Sequence, residues 1–355
     1  MRIGVDARLA GVGLGVSRLI QALGTLLPQS GDEVVWIGAE QTAPSAVSEV
    51  AAPPRPGFAA LDSPLGRRLA RARRIELMHF AANTGWWTAG PERYVLTVHD
   101  VIWSRSPARG QSPRQRLGHA YLRLAVPRAL RGASAVLTPS VAAAEDLRRR
   151  YGARAEVIPN AVADVWRSGP ARRAGAGGDQ YLVGFAGRDE RKATDVTLDA
   201  WSRVEGAGVG LKLLTGAGLP SDLEARVAAL RAAGRIDVLP YLGESELVRE
   251  VAGALALLYP SRDEGFGLPV AEALAAGTPV ITGLAPVTLE VGGDAVLRLD
   301  PRDPAASGAA HVLALLGDTG LRAELAVRGR RRTDSMRWEA VVTAYRRRYE
   351  QILGA

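Results

Sequence analysis

The amino-acid sequence predicts an α/β protein with two Rossmann-like domains, each built on a parallel sheet between helices. Short β-branched runs alternate with longer amphipathic runs along the chain, and parallel strands need helical crossovers of this kind. One breaker-rich segment of small residues, Ser168–Asp179, interrupts the alternation and has the composition of an interdomain linker. The 355 residues are enough for two domains of ordinary size.

The first predicted domain comprises residues 1–167. Its strands are expected at Arg2–Ala7, Glu33–Gly38, Ile75–Phe80, Tyr94–His99, Ala135–Thr138 and Glu156–Ile158. Its helices are expected between several of these strands, at Ser17–Leu27, Pro113–Leu130 and Val141–Tyr151.

The second predicted domain follows the linker, residues 168–179, and comprises residues 180–337. Its strands are expected at Tyr181–Ala186, Leu211–Leu214, Ile236–Leu239, Ala256–Tyr259, Pro279–Ile281 and Val296–Leu299. Its helices are expected at Thr194–Val204, Ser221–Ala233, Ser245–Ala252 and Pro269–Ala276. A last helix, at about residues 338–355, follows the second sheet, and we expect it to pack back on the first domain.

Composition excludes several classes of protein. Hydrophobic residues make up 47% of the chain and charged residues 23%, which is typical of a globular protein and not of a disordered one. Cysteine is absent, which rules out a disulfide framework and thiolate metal sites. We find no apolar run long enough to cross a bilayer and no signal-peptide pattern, so we expect a cytoplasmic protein.

The net charge of +8 comes entirely from the first half of the chain. Residues 1–165 contain 21 Arg against 13 Asp and Glu, which leaves 45 − 21 = 24 basic and 37 − 13 = 24 acidic residues in the remainder. The densest basic run comprises Arg67, Arg68, Arg71, Arg73 and Arg74. The charge indicates either an anionic partner, such as a phosphoglycolipid, a membrane surface or nucleic acid, or only solvated basic faces.

The most informative segment runs from Tyr259 to Val280 and predicts a buried strand, a glycine-rich turn and a helix. Proline suits the first turn of a helix and glycine suits its end, which places the helix between Pro269 and Gly277. The unpaired N–H groups of the helix N-terminus, approached through the glycines of the turn, indicate a cradle for a phosphate group. The alternative is a surface loop followed by an ordinary amphipathic helix.

Two glutamates flank this turn with seven residues between them, Glu264 and Glu272. Together with the intervening Gly-Phe-Gly-Leu-Pro, they resemble the signature of the retaining GT-B glycosyltransferases of group 1, or family 4. The resemblance implies two Rossmann-like domains facing across a cleft, with the acceptor bound by the first and the donor by the second. It implies that Glu264 binds hydroxyls of the donor hexose and Glu272 those of the ribose. The backbone of Gly265, Phe266, Gly267 and Leu268 would then bind the pyrophosphate.

Lys192 marks a second candidate position, because it follows the predicted strand Tyr181–Ala186 and precedes a helix, where a phosphate-binding role is chemically reasonable. Arg191 and Lys192 resemble the family's Arg–Lys pair, which neutralises the leaving pyrophosphate. Arg188 is the rival for the arginine role, and we favour it slightly because it directly follows the glycine at the strand end. Ala193 departs from the family's asparagine or glycine. A solvated helix start is the alternative.

The first domain contributes His99, at the end of a predicted strand. The resemblance implies that His99 bonds the donor sugar near its C6 hydroxyl. It also implies that a glycine loop containing Gly13 and Gly15 faces the donor phosphates, with Arg8 and Arg18 nearby. Four residues at or beyond the end of an earlier predicted strand either line an acceptor pocket or belong to the core: His79, Asn83, Trp86 and Trp87.

We find no Asp-x-Asp pair at a strand end and no histidine–carboxylate cluster with metal spacing, so Arg188, Lys192 and the helix N-terminus are expected to stabilise the leaving group. The absence of these patterns predicts a metal-independent transferase without a cofactor, and the resemblance to the family implies that it retains the anomeric configuration. It would move a mannose- or glucose-type hexose from a UDP- or GDP-sugar to a glycan, lipid-linked or small-molecule acceptor. Peripheral contact with the inner membrane face is expected, and nucleic acid is not.

Two other classes stay open at this point. One is a sugar-nucleotide epimerase or hydrolase of the same fold. The other is a basic, non-catalytic protein that binds membranes or nucleic acid, which would leave the glycine-rich turn unexplained.

Overall fold

The computed structural model describes residues 1–12, 15–54, 58–105, 113–168, 180–187, 189–216, 218–219 and 221–354. The chain forms two compact units. The first holds the described residues up to Ala161 and the C-terminal segment from Trp338, and the second holds those of Val162–Arg337. Each unit has one parallel sheet with crossover helices, so the predicted α/β class with two Rossmann-like sheets is confirmed.

The first sheet has the strand order β3-β2-β1-β4-β5-β6-β7. Its strands are β1 (Arg2–Asp6), β2 (Glu33–Ile37), β3 (Glu49–Ala51), β4 (Leu77–Phe80), β5 (Arg93–Thr97), β6 (Ala135–Thr138) and β7 (Glu156–Val157). The helices between them are α1 (Gly15–Gln29), α2 (Pro64–Ala72), α3 (Pro113–Gly132) and α4 (Val141–Tyr151). The order reverses between β1 and β4, the position at which open α/β sheets usually bind ligands.

The second sheet has the order β10-β9-β8-β11-β12-β13 and reverses between β8 and β11. A short helix, α5 (Val165–Ser168), precedes it. The strands are β8 (Gln180–Ala186), β9 (Val209–Thr215), β10 (Asp237–Leu239), β11 (Ala256–Tyr259), β12 (Val280–Thr282) and β13 (Val296–Arg298). The helices are α6 (Thr194–Ser202), α7 (Ser221–Ala232), α8 (Glu244–Gly253), α9 (Leu268–Ala276), α10 (Pro286–Gly292), α11 (Pro304–Gly317) and α12 (Thr319–Thr333).

The last helix, α13 (Trp338–Leu353), packs against α1 and shares the core of the first unit. The Tyr349 hydroxyl bonds Nδ1 of the fully buried His79 at 2.6 Å, and Nε2 of that ring lies 2.8 Å from the Thr97 hydroxyl. Burial lowers the pKa of His79 to about 3, so the ring is neutral. His79 is therefore a core residue that ties β4 to the C-terminal helix.

The dense arginine run lies on α2 and in the turn after it, and acidic residues neutralise much of it. The buried Arg67 donates to Glu92 at 2.8 Å and stacks 4.4 Å from the centre of the Trp86 ring. Arg71 pairs with the same glutamate, and Arg73 pairs with Glu49. This run is thus largely part of the packing of the first unit.

Candidate active site

The candidate site lies at the carboxyl ends of β8 and β11, where the order of the second sheet reverses. β8 leads into a turn that contains Lys192, and β11 leads into a loop that ends on α9. Gly267 caps α9 with a φ of 87°, in the left-handed region that glycine tolerates best. Proline in the first turn of α9 and Gly277 at its C-cap fix the two ends of this helix.

Glu264 is the centre of the site. One oxygen of its carboxylate, Oε1, accepts hydrogen bonds from Lys192 Nζ at 2.8 Å and from Arg191 Nη1 at 2.8 Å. The same oxygen accepts from the hydroxyls of Ser261 at 2.8 Å and Tyr259 at 2.6 Å. Two cations and two hydroxyls therefore fix the position of this carboxylate.

Opposing effects set the protonation of the cluster. Burial by itself raises the pKa of Glu264, but Lys192 and Arg191 outweigh it and hold that pKa below its usual value. Burial lowers the pKa of Lys192, and the charge of Glu264 counteracts this. The pKa of the Tyr259 phenol lies well above its usual value, because the hydroxyl is buried beside the carboxylate. The phenol is therefore a hydrogen-bond donor at neutral pH.

Arg191 connects the turn after β8 to the loop after β11. Its Nε donates to Asp189 at 2.8 Å, and its Nη1 also reaches the carbonyl oxygen of Asp263 at 3.0 Å. Ala193 adopts a left-handed conformation with a φ of 48°, which favours glycine or asparagine over other residues. Arg188 lies outside the described residues, so the choice between Arg188 and Arg191 as the pyrophosphate ligand stays a prediction.

The N-terminus of α9 lies directly beyond Glu264. Val270 is the first residue of the helix whose N–H donates within it, to the carbonyl of Gly267 at 3.0 Å. The N–H groups of Gly265–Leu268 therefore precede the ladder of helical hydrogen bonds, as an anion-binding turn requires. Phe266 is buried under the turn, and Glu272 is buried on α9. Glu272 is not among the described groups that bond Glu264.

In the first unit, His99 follows β5 and is half-buried. Its Nε2 lies 2.8 Å from the carbonyl oxygen of Ala81, and its backbone N–H donates to Asn83 Oδ1 at 2.7 Å. Burial lowers the pKa of His99, so the neutral ring donates through Nε2–H and keeps a lone pair on Nδ1. Of the set left open above, Trp86 joins His79 in the core, Asn83 holds His99, and Trp87 is exposed. Gly15 begins α1, and Gly13 lies outside the described residues.

At the point where the strand order of the first sheet reverses, the charged residues differ from those at the reversal of the second sheet. Arg8 Nη2 donates to Asp6 at 2.7 Å, to Asp62 at 2.7 Å and to Thr84 at 3.2 Å. The Tyr121 hydroxyl donates to the other oxygen of Asp62. Burial raises the pKa of Asp62 to about 6, although Arg8 acts in the opposite direction. The sequence analysis assigned no role to either aspartate.

Sequence reasoning also missed Tyr259 and Ser261 as parts of the site. The signal was available in the spacing Tyr-x-Ser-x-x-Glu, which ends a buried strand and enters the glycine-rich turn. Such spacing allows the two hydroxyls and the carboxylate to meet once the chain leaves the sheet. The described residues contain no group of three or more His, Asp or Glu side chains placed to bind a metal ion.

The fold and the site together define a glycosyltransferase of the GT-B class. Two family models match the chain, Glycosyltransferase Family 4 over residues 14–164 and Glycosyl transferases group 1 over residues 180–318. A D-inositol 3-phosphate glycosyltransferase of Xylanimonas cellulosilytica is 31% identical over 312 residues, which cover 78% of this chain and 72% of that protein. The chain belongs to this family of group 1 glycosyltransferases.

Two further similarities are more limited, one in the length that it covers and the other in sequence identity. O-antigen chain mannosyltransferase B of Escherichia coli is 38% identical over 110 residues, which cover 31% of this chain and only 29% of that protein. The structure of Anabaena HepE in complex with UDP-glucose superposes with a TM-score of 0.71 at 17% identity, covering all of both chains. This likeness confirms the predicted GT-B fold.

Proposed function

We propose that the protein is a retaining, metal-independent hexosyltransferase that uses a nucleoside diphosphate sugar. The observation that carries the proposal is the convergence of Lys192 and Arg191 on Glu264, beside the N-terminus of α9. These groups supply positive charge and N–H donors at one point of the second sheet. That combination suits a pyrophosphate and a hexose bound side by side.

The chemical problem is the departure of a nucleoside diphosphate from an oxocarbenium-like sugar. The Lys192 ammonium has three N–H donors, of which Glu264 and Tyr259 take two, so one remains for a phosphate oxygen. The backbone N–H groups of Gly265–Leu268 add the partial positive charge of a helix N-terminus. Charge that develops on the leaving group is thereby stabilised by groups already fixed in place, which is usually the largest catalytic effect.

The remaining roles concern the sugar and the nucleoside. We propose that Glu264 accepts hydrogen bonds from hexose hydroxyls and that Glu272 accepts those of the ribose. The free lone pair on His99 Nδ1 suits a hydroxyl near C6 of the hexose. For retention, the acceptor would attack from the face that the leaving group vacates, and the phosphate would take the acceptor's proton. No side-chain base is then required.

The names of similar proteins support the donor and acceptor classes. One relative is a mannosyltransferase of an O-antigen chain, another glycosylates an inositol phosphate, and HepE was solved with UDP-glucose. We therefore propose a UDP- or GDP-linked mannose or glucose as donor. The proposed acceptor is a glycan, a lipid-linked sugar or a small polyol, met at the cytoplasmic face of the membrane.

A panel of UDP-, GDP-, ADP- and dTDP-sugars, incubated in EDTA with and without candidate acceptors, tests this proposal. We expect slow release of nucleoside diphosphate from one donor, faster release with an acceptor, and a product with the anomeric configuration of the donor by NMR. Activity that EDTA abolishes and Mg²⁺ restores would contradict metal independence. An inverted anomer would contradict retention.

A further inference from the structure

The second unit has a cleft of about 560 Å³ between α12 and the segment that joins α10 to β13. We call it the arginine cleft, after the residues that line it: Asp294, Arg328, Arg331, Arg332 and Ser335. None of them belongs to the candidate active site. A cleft of this volume has room for a small molecule, and three guanidinium groups in one cleft indicate that the molecule is an anion.

The three arginines come from one face of α12. Arg328, Arg331 and Arg332 are spaced by three and four residues, which places their side chains next to one another on an α-helix. The opposite face is packed into the unit, since Leu325 and Gly329 are buried. The arginines therefore project from a helix that is held in place.

Backbone carbonyl groups fix the position of two of the guanidinium groups. Arg332 donates from Nε to Val291 at 3.0 Å and from Nη2 to Glu290 at 2.6 Å, at the C-terminal end of α10. Arg328 donates from Nη1 to the carbonyl oxygen of Asp294 at 3.3 Å. Capping of α10 explains these bonds, but a guanidinium group has five N–H donors, so others remain for a ligand. Side chains that are already fixed lose little freedom when a ligand binds.

Carboxylates neutralise these arginines only in part. Arg328 pairs with Glu324, one turn earlier on α12. In the part of the chain that the structure describes, neither Arg331 nor Arg332 forms an ion pair, and Asp294 lines the cleft without pairing to them. Residues 166–355 contain 45 − 21 = 24 basic and 37 − 13 = 24 acidic side chains, so this positive excess is local and not a property of the whole region.

We propose that the arginine cleft binds the phosphate group of a small phosphorylated molecule. A phosphate monoester carries a charge of about −1.5 to −2 at pH 7 and three acceptor oxygens, which suit several arginine forks at once. The hydroxyl of Ser335 is a further donor at the cleft. A polypeptide or a nucleic acid would need a longer contact surface than five residues provide. The inference goes beyond the proposed function, because neither the donor nor the acceptor of the transfer has to occupy this cleft.

Equilibrium dialysis of the full chain with labelled glycerol 3-phosphate and labelled glycerate, at pH 7.5 and low salt, tests the site. The two probes share a three-carbon skeleton and differ in the anionic group. We expect glycerol 3-phosphate to bind and glycerate to bind about 10-fold more weakly or not at all.

Arg331→Gln should weaken the binding of glycerol 3-phosphate about 10-fold, because it removes charge-assisted hydrogen bonds to the phosphate. This variant should fold, since Arg331 has no ion pair within the described residues. Arg302→Gln removes another exposed arginine of the same unit, outside the cleft, and is the matched control that should bind like the wild type.

The candidate active site is itself proposed to bind phosphate, so the dialysis is repeated with Lys192→Ala, in which the arginine cleft should still bind the probe. Four outcomes would overturn the proposal: no saturable binding, equal binding of the two probes, wild-type binding by Arg331→Gln, or loss of the binding in Lys192→Ala. Release of nucleoside diphosphate from the donor should be unchanged in Arg331→Gln. Failure of the cleft is thereby distinguishable from failure of the proposed transferase activity.

Discussion

The two sheets reverse their strand order at equivalent points, yet the charged groups there are arranged in opposite ways. In the second unit, Lys192 and Arg191 converge on one oxygen of Glu264. In the first unit, Asp6 and Asp62 converge on the guanidinium of Arg8. The same topology thus holds a cation pair around one carboxylate in one unit, where we propose that phosphate binds, and a carboxylate pair around one cation in the other. Charge changes should affect catalysis at the second point and stability at the first.

The largest expected effect is on stability, from Arg8→Met. The substitution leaves two buried carboxylates without their cation, which should cost about 3–5 kcal/mol of the free energy of unfolding at pH 7.5. Since the pKa of Asp62 is raised to about 6, this carboxyl becomes neutral as the pH falls below that value, and the loss should be smaller at pH 5. Urea unfolding at the two pH values measures both quantities. An equal loss at both would contradict the role of Asp62.

At the reversal point of the second sheet, Lys192→Ala should lower kcat by about 100- to 1,000-fold, because it removes a positive charge that we propose stabilises the leaving group. The fold should persist, since Glu264 keeps Arg191 and two hydroxyls as partners. Turnover of the donor with an acceptor, together with thermal unfolding, checks this prediction.

The chain's other lysine provides a matched control. Lys212 also pairs with a glutamate, Glu250 at 2.7 Å, and lies 4.0 Å from the centre of a tyrosine ring, that of Tyr181. Lys212→Ala should leave kcat near its wild-type value. Equal losses of turnover in the two variants, or unfolding of Lys192→Ala alone, would contradict the catalytic assignment.

Elements with a strong local pattern were predictable from the sequence. α4 has the predicted bounds, because a serine cap defines its start, and α13 begins at the predicted residue, Trp338, and ends two residues before the predicted end. β3 is only three residues long at the edge of its sheet, which is too short to show a period. α2 spans nine residues of an arginine-rich run, which the sequence analysis considered for its charge and did not assign as a helix. The helices α10 to α12 follow the motif-rich region, and the sequence analysis did not assign them.

The candidate site was predictable only in part, for a physical reason. Glu264 and Lys192 were recognised through their local motifs, but their direct contact joins residues 72 positions apart. The cluster around Arg8 draws Asp62 from 54 positions away and Tyr121 from a helix later still. Contacts of this kind depend on which strands lie side by side, and no local pattern encodes that order.

A smaller effect is expected from the buried His79, on the pH dependence of the free energy of unfolding. In the folded protein His79 titrates at about 3, whereas an unfolded chain binds its proton near the usual value of 6.5. The unfolded state therefore binds more protons between these values, and His79 should cost about 2 kcal/mol of stability between pH 7.5 and pH 5. His79→Gln cannot bind that proton.

Asp62 changes the stability in the opposite direction over much of this pH range. Its pKa is raised in the folded protein, so the folded state binds more protons at this group than the unfolded state does, and a falling pH favours folding. The informative measurement is therefore the difference between wild type and His79→Gln in urea unfolding at each pH. We expect the variant to gain about 2 kcal/mol relative to wild type as the pH falls from 7.5 to 5. A constant difference would contradict the buried, neutral state of His79.

The smallest expected effect comes from Tyr259→Phe, which removes one hydroxyl that bonds both Glu264 and Lys192 at 2.6 Å. The ring remains, with its contact to Phe185 and its position 4.9 Å from the Lys192 ammonium. We expect kcat to fall about 10-fold through poorer positioning of both side chains, at a cost in stability of about 1 kcal/mol. The donor KM should change little, because Tyr259 is a positioning residue. Tyr181→Phe removes the hydroxyl of the tyrosine whose ring contacts Lys212 and should leave kcat unchanged. An equal loss in both variants would mean that Tyr259 only supports the fold.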